Sequence, residues 1–437
     1  MRSNLVYGTT TAIAAAMMFA GLGGLATPAL AAKVDKKADA GKPAGPKLSK
    51  PVQAVLSDAQ KLQTAKDYPG ALAKIREAEA LPNRTDDDNY MINAIKLNDA
   101  IGMRAATSVA AVPTGTLNPA DALLEEALNG MLASSRVTAE DRPKFLRNLS
   151  VLALQRNDYI AATKRSEELV ALSPNDPEAL IGLAELYRKQ KQPTKALDTL
   201  NRAIAAQTAA GKVADESWYA TAVRIAYDNK LSAPTQTAAL ALVTAYPKPS
   251  NWRDALVILR DSAKLDDQGN LDVMRLMATA GALNGERDYV EYAETAAVRG
   301  LPGEAKAALA QGRAAGALNS NRATTADLGK MVDGKVAGDR ASLPGLDRDA
   351  RKAATGKAAA GTADAYYGYG EYAKAADLYR FALTKGGVDS DTVYLRLGAS
   401  LARSGDKAGA AAALANVKSG PRAQLAQYWM LWLSKQA

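Results

Sequence analysis

Small and apolar residues along this chain return at spacings of three, four and seven, the period that puts them on one face of a helix. Between positions 146 and 169 they are Leu146, Leu149, Ser150, Ala153, Ala162, Ser166 and Leu169. The set recurs 34 positions further on, as Leu180, Leu183, Ala184, Tyr187, Ala196, Leu200 and Ala203. Each copy predicts two amphipathic helices joined by a short turn. Ala184, Ala196 and Ala203 are small enough to let the paired helices approach closely, while Leu180, Leu183 and Leu200 fill the space between them. Pro174 and Pro193 fall where a helix has to end or turn, because an interior proline removes a hydrogen bond and clashes with the preceding turn. A single hairpin of this kind cannot bury its apolar face, so neighbouring hairpins must stack on it.

Related patterns extend in both directions. Val55, Ala59 and Leu62 lead through Lys66-Asp67-Tyr68 into Ala71, Ile75 and Ala78. Tyr90, Ala94 and Leu97 find their partner helix in Ala120, Leu124 and Ala127, after an insertion through residues 112–115. Beyond position 210 the 34-residue phase is lost, although 218–228, 235–246, 252–261 and 271–283 still read as amphipathic helices. Residues 287–315 add two more, split by Gly300-Leu301-Pro302-Gly303. Two regular units return at the end: Ala363, Tyr366, Ala375, Tyr379 and Ala382, then Tyr394, Leu397, Leu401, Ala410 and Leu414. Trp429, Leu431, Trp432 and Leu433 are expected on a last helix that caps the stack.

The motif Leu180-x2-Leu183-Ala184-x2-Tyr187, followed by Ala196-x3-Leu200-x2-Ala203, resembles the tetratricopeptide repeat, a two-helix unit of about 34 residues. The resemblance implies an all-α, right-handed solenoid of helical hairpins, here with an irregular middle section. The expected organisation is a signal peptide (1–31), a basic Pro/Lys linker (32–51), an N-terminal repeat block (52–210) and an irregular helical-hairpin block (211–318). A flexible linker or weakly packed helices (319–355) and a C-terminal repeat block with a capping helix (356–437) complete it.

Composition narrows the chemistry. The 437 residues are 48% apolar and only 5% aromatic, enough for a core and better suited to close-packed helices than to sheets. Cysteine and histidine are both absent, which excludes disulfides, thiol nucleophiles, Cys/His metal sites and histidine-based catalysis. Arg2, an apolar stretch at 11–20 and the small-x-small sequence Ala29-Leu30-Ala31 form a secretory leader with cleavage near Ala31. Its apolar stretch is shorter than the ~20 residues of a membrane span. No other long apolar run follows, so the mature chain is expected in the periplasm without a span. The net charge is +9, and Lys33, Lys36, Lys37, Lys42, Lys47 and Lys50 crowd one proline-interrupted stretch. That stretch reads as an extended tether, more simply a solubilising leader than a lipid- or wall-polymer-binding patch.

Several local matches to catalytic or metal motifs read better as structure. Ser404-Gly405-Asp406-Lys407 fits S-x-x-K but lies in a repeat turn, with no S-D-N or K-T-G partner. Asp86-Asp87-Asp88 and the run Asp266-Asp267-Gln268-Gly269-Asn270 lack the closing Glu of a calcium loop and suit helix starts.

The resemblance also implies a groove lined by the outward side of each first helix. Carried onto this sequence, that side holds Lys144, Arg147, Asn148 and Gln155, then Glu178, Glu185, Arg188 and Lys189, then Arg396 and Arg403. Six of these ten residues are basic, which points to an acidic peptide or polymer, since arginine holds carboxylates bidentately. Of the C-terminal tyrosines, Tyr366, Tyr372 and Tyr379 fall at packing positions, whereas Tyr367 is expected to face the groove. These features point to a non-catalytic periplasmic scaffold binding a protein or peptide, in envelope assembly, secretion or polysaccharide export. A glycan-binding adaptor using the basic face and Tyr367 is the alternative. No cofactor, metal or nucleic-acid partner is expected.

Overall fold

The computed structural model describes residues 45–106, 115–263, 265–319 and 322–436. The expected leader, most of the basic tether and part of the insertion near 112–115 lie outside the described residues. The chain divides into two compact units, Met1–Lys212 and Val213–Ala437.

In the first unit α1 (Lys50–Thr64) pairs with α2 (Tyr68–Ala80), and α3 (Asp86–Ala106) with α4 (Pro119–Leu132). Next come α5 (Asp141–Gln155) with α6 (Tyr159–Leu172), and α7 (Pro177–Lys189) with α8 (Pro193–Ala209). Every residue of the 34-residue pattern is buried, from Leu146 and Leu180 to Ala162, Ala196 and Ala203. A fully buried leucine contributes about 2 kcal/mol, so the periodic positions carry most of the stacking energy. Two pattern positions are serines, and they satisfy each other. Ser150 Oγ lies 2.8 Å from Ser166 Oγ and 3.1 Å from the Ala162 carbonyl.

The turn inside each hairpin follows one scheme. A residue one or two positions past the first helix takes a left-handed backbone, and the next N–H bonds to a carbonyl five residues back. Asp67 to Leu62, Asp158 to Ala153 and Gln192 to Tyr187 show it in the first unit. Asp67 and Asp158 then cap the second helix, their carboxylates accepting from Gly70 N and Ala161 N. The same bond recurs as Leu231 to Ala226, Leu301 to Ala296, Glu371 to Tyr366 and Asp406 to Leu401. Hairpins therefore continue through the middle of the chain, where the 34-residue phase is lost.

The second unit begins with α9 (Glu216–Asp228) paired with α10 (Ser232–Ala245), then α11 (Pro249–Ala263) and α12 (Asp267–Thr279). A further hairpin joins α13 (Gly285–Val298) to α14 (Pro302–Ala314). Residues 319–355, expected as a flexible linker or weakly packed helices, carry one 30-residue helix, α15 (Ala323–Lys352). It buries Thr325, Leu328, Val332, Leu343 and Ala350 and packs between α14 and α16 (Lys357–Gly368). The large apolar residues are sparse because one long helix needs only a single narrow contact stripe. Pro344 lies inside it.

The unit ends with α16 paired with α17 (Tyr372–Lys385), then α18 (Ser390–Ser404) with α19 (Lys407–Leu414), and finally α20 (Gly420–Ser434). Helix α20 covers α18 and α19 with Leu425 and Trp429, both fully buried, and also touches α11 and α12. The last helix of this unit thus comes back to α11 and α12.

Candidate functional site

The outward face of the first unit has the expected residues at its surface. Lys144, Arg147 and Asn148 stand on α5 at one-turn spacing, and Glu185, Arg188 and Lys189 stand likewise on α7. The basic groups already have carboxylate neighbours. Lys144 Nζ is 3.0 Å from both Glu140 and Asp141. Arg147 reaches Asp176, the N-cap of α7, at 3.1 Å and so ties the two helices together. Arg188 forms two 2.7 Å bonds to Glu185, and Lys189 lies 4.0 Å from the same carboxylate, above the Tyr159 ring. Asn148 Nδ2 donates to the Lys144 carbonyl. The half-buried Val151 and Ile181 lie on the same helices at the turn positions between these polar groups. The face is amphipathic, its cations pre-paired.

The expected C-terminal groove residues are placed differently. Arg396 is buried, 7% exposed, and Tyr367 is buried at 6%, so neither opens onto solvent as the repeat register suggested. Arg403 is exposed; it donates to Tyr372 Oη at 2.9 Å and to Thr279 Oγ1 at 3.3 Å, with its guanidinium 5.0 Å from the Tyr372 ring centre. Tyr366 and Tyr379 are buried, as packing positions should be, whereas Tyr372 is half-buried against Tyr367, ring centres 5.1 Å apart.

What buries Arg396 is a charged cluster that the repeat pattern did not anticipate. Arg275, on α12, holds Glu304 of α14 with two 2.8 Å bonds, Asp272 at 2.9 Å and Asp364 of α16 at 3.3 Å. Arg396, on α18, reaches Asp272 at 2.9 and 3.2 Å and Asp364 at 2.8 Å. Tyr292 donates to Glu304, Tyr379 donates to Asp364, and the Tyr367 ring centre lies 4.7 Å from the Arg275 guanidinium. Burial works against the charge on Arg275, yet Glu304, Asp364 and Asp272 hold it protonated well above the usual arginine range. Burial, reinforced by those carboxylates, pushes the Tyr292 and Tyr379 hydroxyls well up. They remain donors at any physiological pH.

Close helix approach positions this cluster. A Cβ on Gly368 would lie 2.9 Å from the Glu304 backbone nitrogen, and one on Gly303 would run into the Tyr369 ring. Only glycine lets α14 and α16 come near enough to bring Glu304 and Asp364 onto the same arginine. A sequence signal did exist. Asp272 and Arg275 interrupt Leu271, Val273, Met274, Leu276 and Met277, all buried, and charges set among core residues are nearly always paired.

The acidic runs have the structural roles expected of them. Asp86 accepts from Ser135, Asp87 pairs with Arg136, and buried Asp88 accepts from Thr85 N and Ser49 N. Asp266 caps α12 by accepting from Gly269 N. Ser404 Oγ donates to the Leu401 carbonyl, and Lys407 Nζ to that of Gln436. No helix among the described residues is long and apolar enough to cross a membrane.

The tetratricopeptide repeat family model matches residues 153–214. No curated protein sequence matches the chain. Solved structures similar to it include a tetratricopeptide repeat protein from Parabacteroides merdae, 12% identical, covering 67% of this chain and 99% of that one with a TM-score of 0.24. Another is pilF of Pseudomonas aeruginosa, 13% identical, covering 64% and 92% with a TM-score of 0.20. A third is the C-terminal part of a repeat protein from Cytophaga hutchinsonii, 10% identical, covering 77% and 98% with a TM-score of 0.26. The family match falls on α6, α7 and α8, where the repeating small and apolar residues are buried, and identifies a tetratricopeptide repeat in that segment of the chain.

Proposed function

We propose that this protein is a non-catalytic scaffold of the periplasm, holding a peptide or extended segment of a protein partner along the outward face of α5 and α7. Tetratricopeptide arrays are protein-binding scaffolds, and the leader with its Ala29-Leu30-Ala31 cleavage sequence supports export. The observation that carries the reading is the division of labour on those two helices. Their periodic side is wholly buried, while Lys144, Arg147, Asn148, Glu185, Arg188 and Lys189 stand at the surface around Val151 and Ile181. An acidic partner segment would exchange its carboxylates for those of Asp176 and Glu185, with Arg188 offering the bidentate contact. Envelope assembly, secretion or polysaccharide export is the setting this reading favours. The glycan-adaptor alternative loses support, because Tyr367, its stacking residue, is buried under Arg275.

The test is capture from an envelope extract on the immobilised chain from residue 32 onward, with mass spectrometry of what is held. A variant carrying Arg147→Glu and Arg188→Glu runs beside it. A protein partner held by the wild type and lost from the variant supports the reading. Equal retention by both, or retention of glycan alone, overturns it.

A further inference from the structure

The second unit presents an arrangement independent of the face on α5 and α7. Helix α18 reaches α12 through long side chains: Arg396 to Asp272 at 2.9 Å and Arg403 to Thr279 at 3.3 Å. Helix α20 makes the same kind of connection, with Arg422 to Asp266 at 3.3 Å, Gln424 to Gln236 at 2.6 Å, and the Tyr428 ring centre 6.1 Å from that of Trp252. Successive hairpins in the stack pack mainly through buried apolar residues, as α17 and α18 do with Leu378, Ala382, Val393 and Leu397. The difference matters because an apolar contact has no small competitor, whereas a guanidinium bound to carboxylates can be replaced by another guanidinium.

Behind this connection lie Asp272, Glu304 and Asp364, all buried or nearly so. Without Arg396 these three carboxylates would keep Arg275 as their one guanidinium among the described residues, beside the Tyr292 and Tyr379 hydroxyls. Arg396 saturates both Asp272 oxygens and Asp364 Oδ2. It therefore occupies the place that a guanidinium from outside would take. A neutral or acidic segment there would leave desolvated carboxylates uncompensated, which is strongly unfavourable.

We propose that Arg396, supported by Arg403, is a clasp in cis that closes an acidic inner face of the second unit, and that this face takes an arginine-bearing segment of a partner when the clasp opens. The partner chemistry is opposite in sign to that expected for the groove from the repeat register alone. Only the fraction of molecules with an open clasp is competent to bind, so weakening the clasp raises the apparent affinity.

Fluorescent hexa-arginine and hexa-glutamate peptides, followed by anisotropy with the full chain, test this. The variants are Arg396→Gln and Arg403→Ala; Arg403 is exposed, so its variant keeps the buried cluster intact if the first fails to fold. Hexa-arginine is expected to bind about tenfold more tightly to the folded variants than to the wild type, whereas any hexa-glutamate affinity, which would belong to the face on α5 and α7, is expected to stay unchanged. Because the chain has no cysteine, Thr279→Cys with Arg403→Cys can be bridged specifically by a short bis-maleimide. Bridging is expected to abolish the hexa-arginine binding that the unbridged pair shows. Equal hexa-arginine affinity in wild type and folded Arg403→Ala, a gain for hexa-glutamate, or binding that survives the bridge would each overturn the proposal.

Discussion

Asp99 Oδ1 accepts a 3.2 Å hydrogen bond from Gln63 Nε2, while its Oδ2, equally buried, has no partner among the described residues. The same Gln63 amide donates to the Ile95 carbonyl at 2.9 Å, so α1 and α3 are joined through one side chain. Burial, with Asp67 nearby adding to it, pushes the Asp99 carboxyl up to about 6 from 3.8, against the opposing hydrogen bond from Gln63. The folded protein thus holds this proton more tightly than the unfolded chain does. Its contribution is fully present below about pH 4 and is lost as pH rises to about 6, at roughly 1.4 kcal/mol per unit. Urea titrations of the wild type and Asp99→Asn should therefore diverge by up to about 3 kcal/mol between pH 4 and pH 7, the wild type losing relative stability as pH rises. Parallel curves would sink this assignment. Glu126 works in the opposite sense: Arg76, outweighing burial, holds it at about 2, so its contribution falls away in acid in both proteins.

The buried and exposed ion pairs should behave very differently. Arg275→Met leaves buried Glu304 without its guanidinium and Asp272 and Asp364 with Arg396 alone, and is expected to cost about 3–5 kcal/mol. Arg188→Ala removes a solvent-facing pair with Glu185 and should change stability by less than about 0.5 kcal/mol. Thermal unfolding of the two variants against the wild type reads the contrast; comparable losses would contradict it.

Gly368 is needed for space rather than for its backbone freedom. In Gly368→Ala the new methyl meets the Glu304 backbone, which cannot rotate away as a side chain could. A loss of about 2–3 kcal/mol is expected from the forced separation of α14 and α16. Gly361→Ala, on the same helix with open space around its Cβ, should stabilise slightly by improving helix propensity. Measured together, the pair separates a packing effect from a general dislike of alanine in α16.

The hairpin turns offer a gain. Lys191 holds a left-handed backbone with φ 57°, where Gly405 serves at the corresponding turn before α19. A side chain in that conformation costs about 1 kcal/mol, so Lys191→Gly should raise the urea midpoint by an amount equivalent to about 0.5–1 kcal/mol. A lowered midpoint would show that the Lys191 side chain contributes more than its backbone costs.

Much of the fold was legible from residues alone because its information is local and periodic. Leu146, Leu180, Ala162 and Ala196 declare their burial through spacing, and Asp67 and Asp158 declare helix starts through their position after a turn. Helix α15 was harder to read, since Val332 and Leu343 are spread thinly among glycines and charges. The groove face on α5 and α7 came instead from the resemblance to the repeat, which places it on the outward side of each first helix.

The sequence by itself determined that the regular units are helical hairpins, where the turns inside them fall, and which side of α5 and α7 is buried. Helical spacing encodes all three within a few tens of residues. Tertiary structure alone decided that Arg396 and Tyr367, outward by register, would be interior, and that Asp272, Arg275, Glu304 and Asp364 would share one site. Those residues are brought together by the return of α18 to α12, across 124 positions, and by the close crossing of α14 and α16. Such meetings depend on the curvature of the whole second unit, which no local spacing carries.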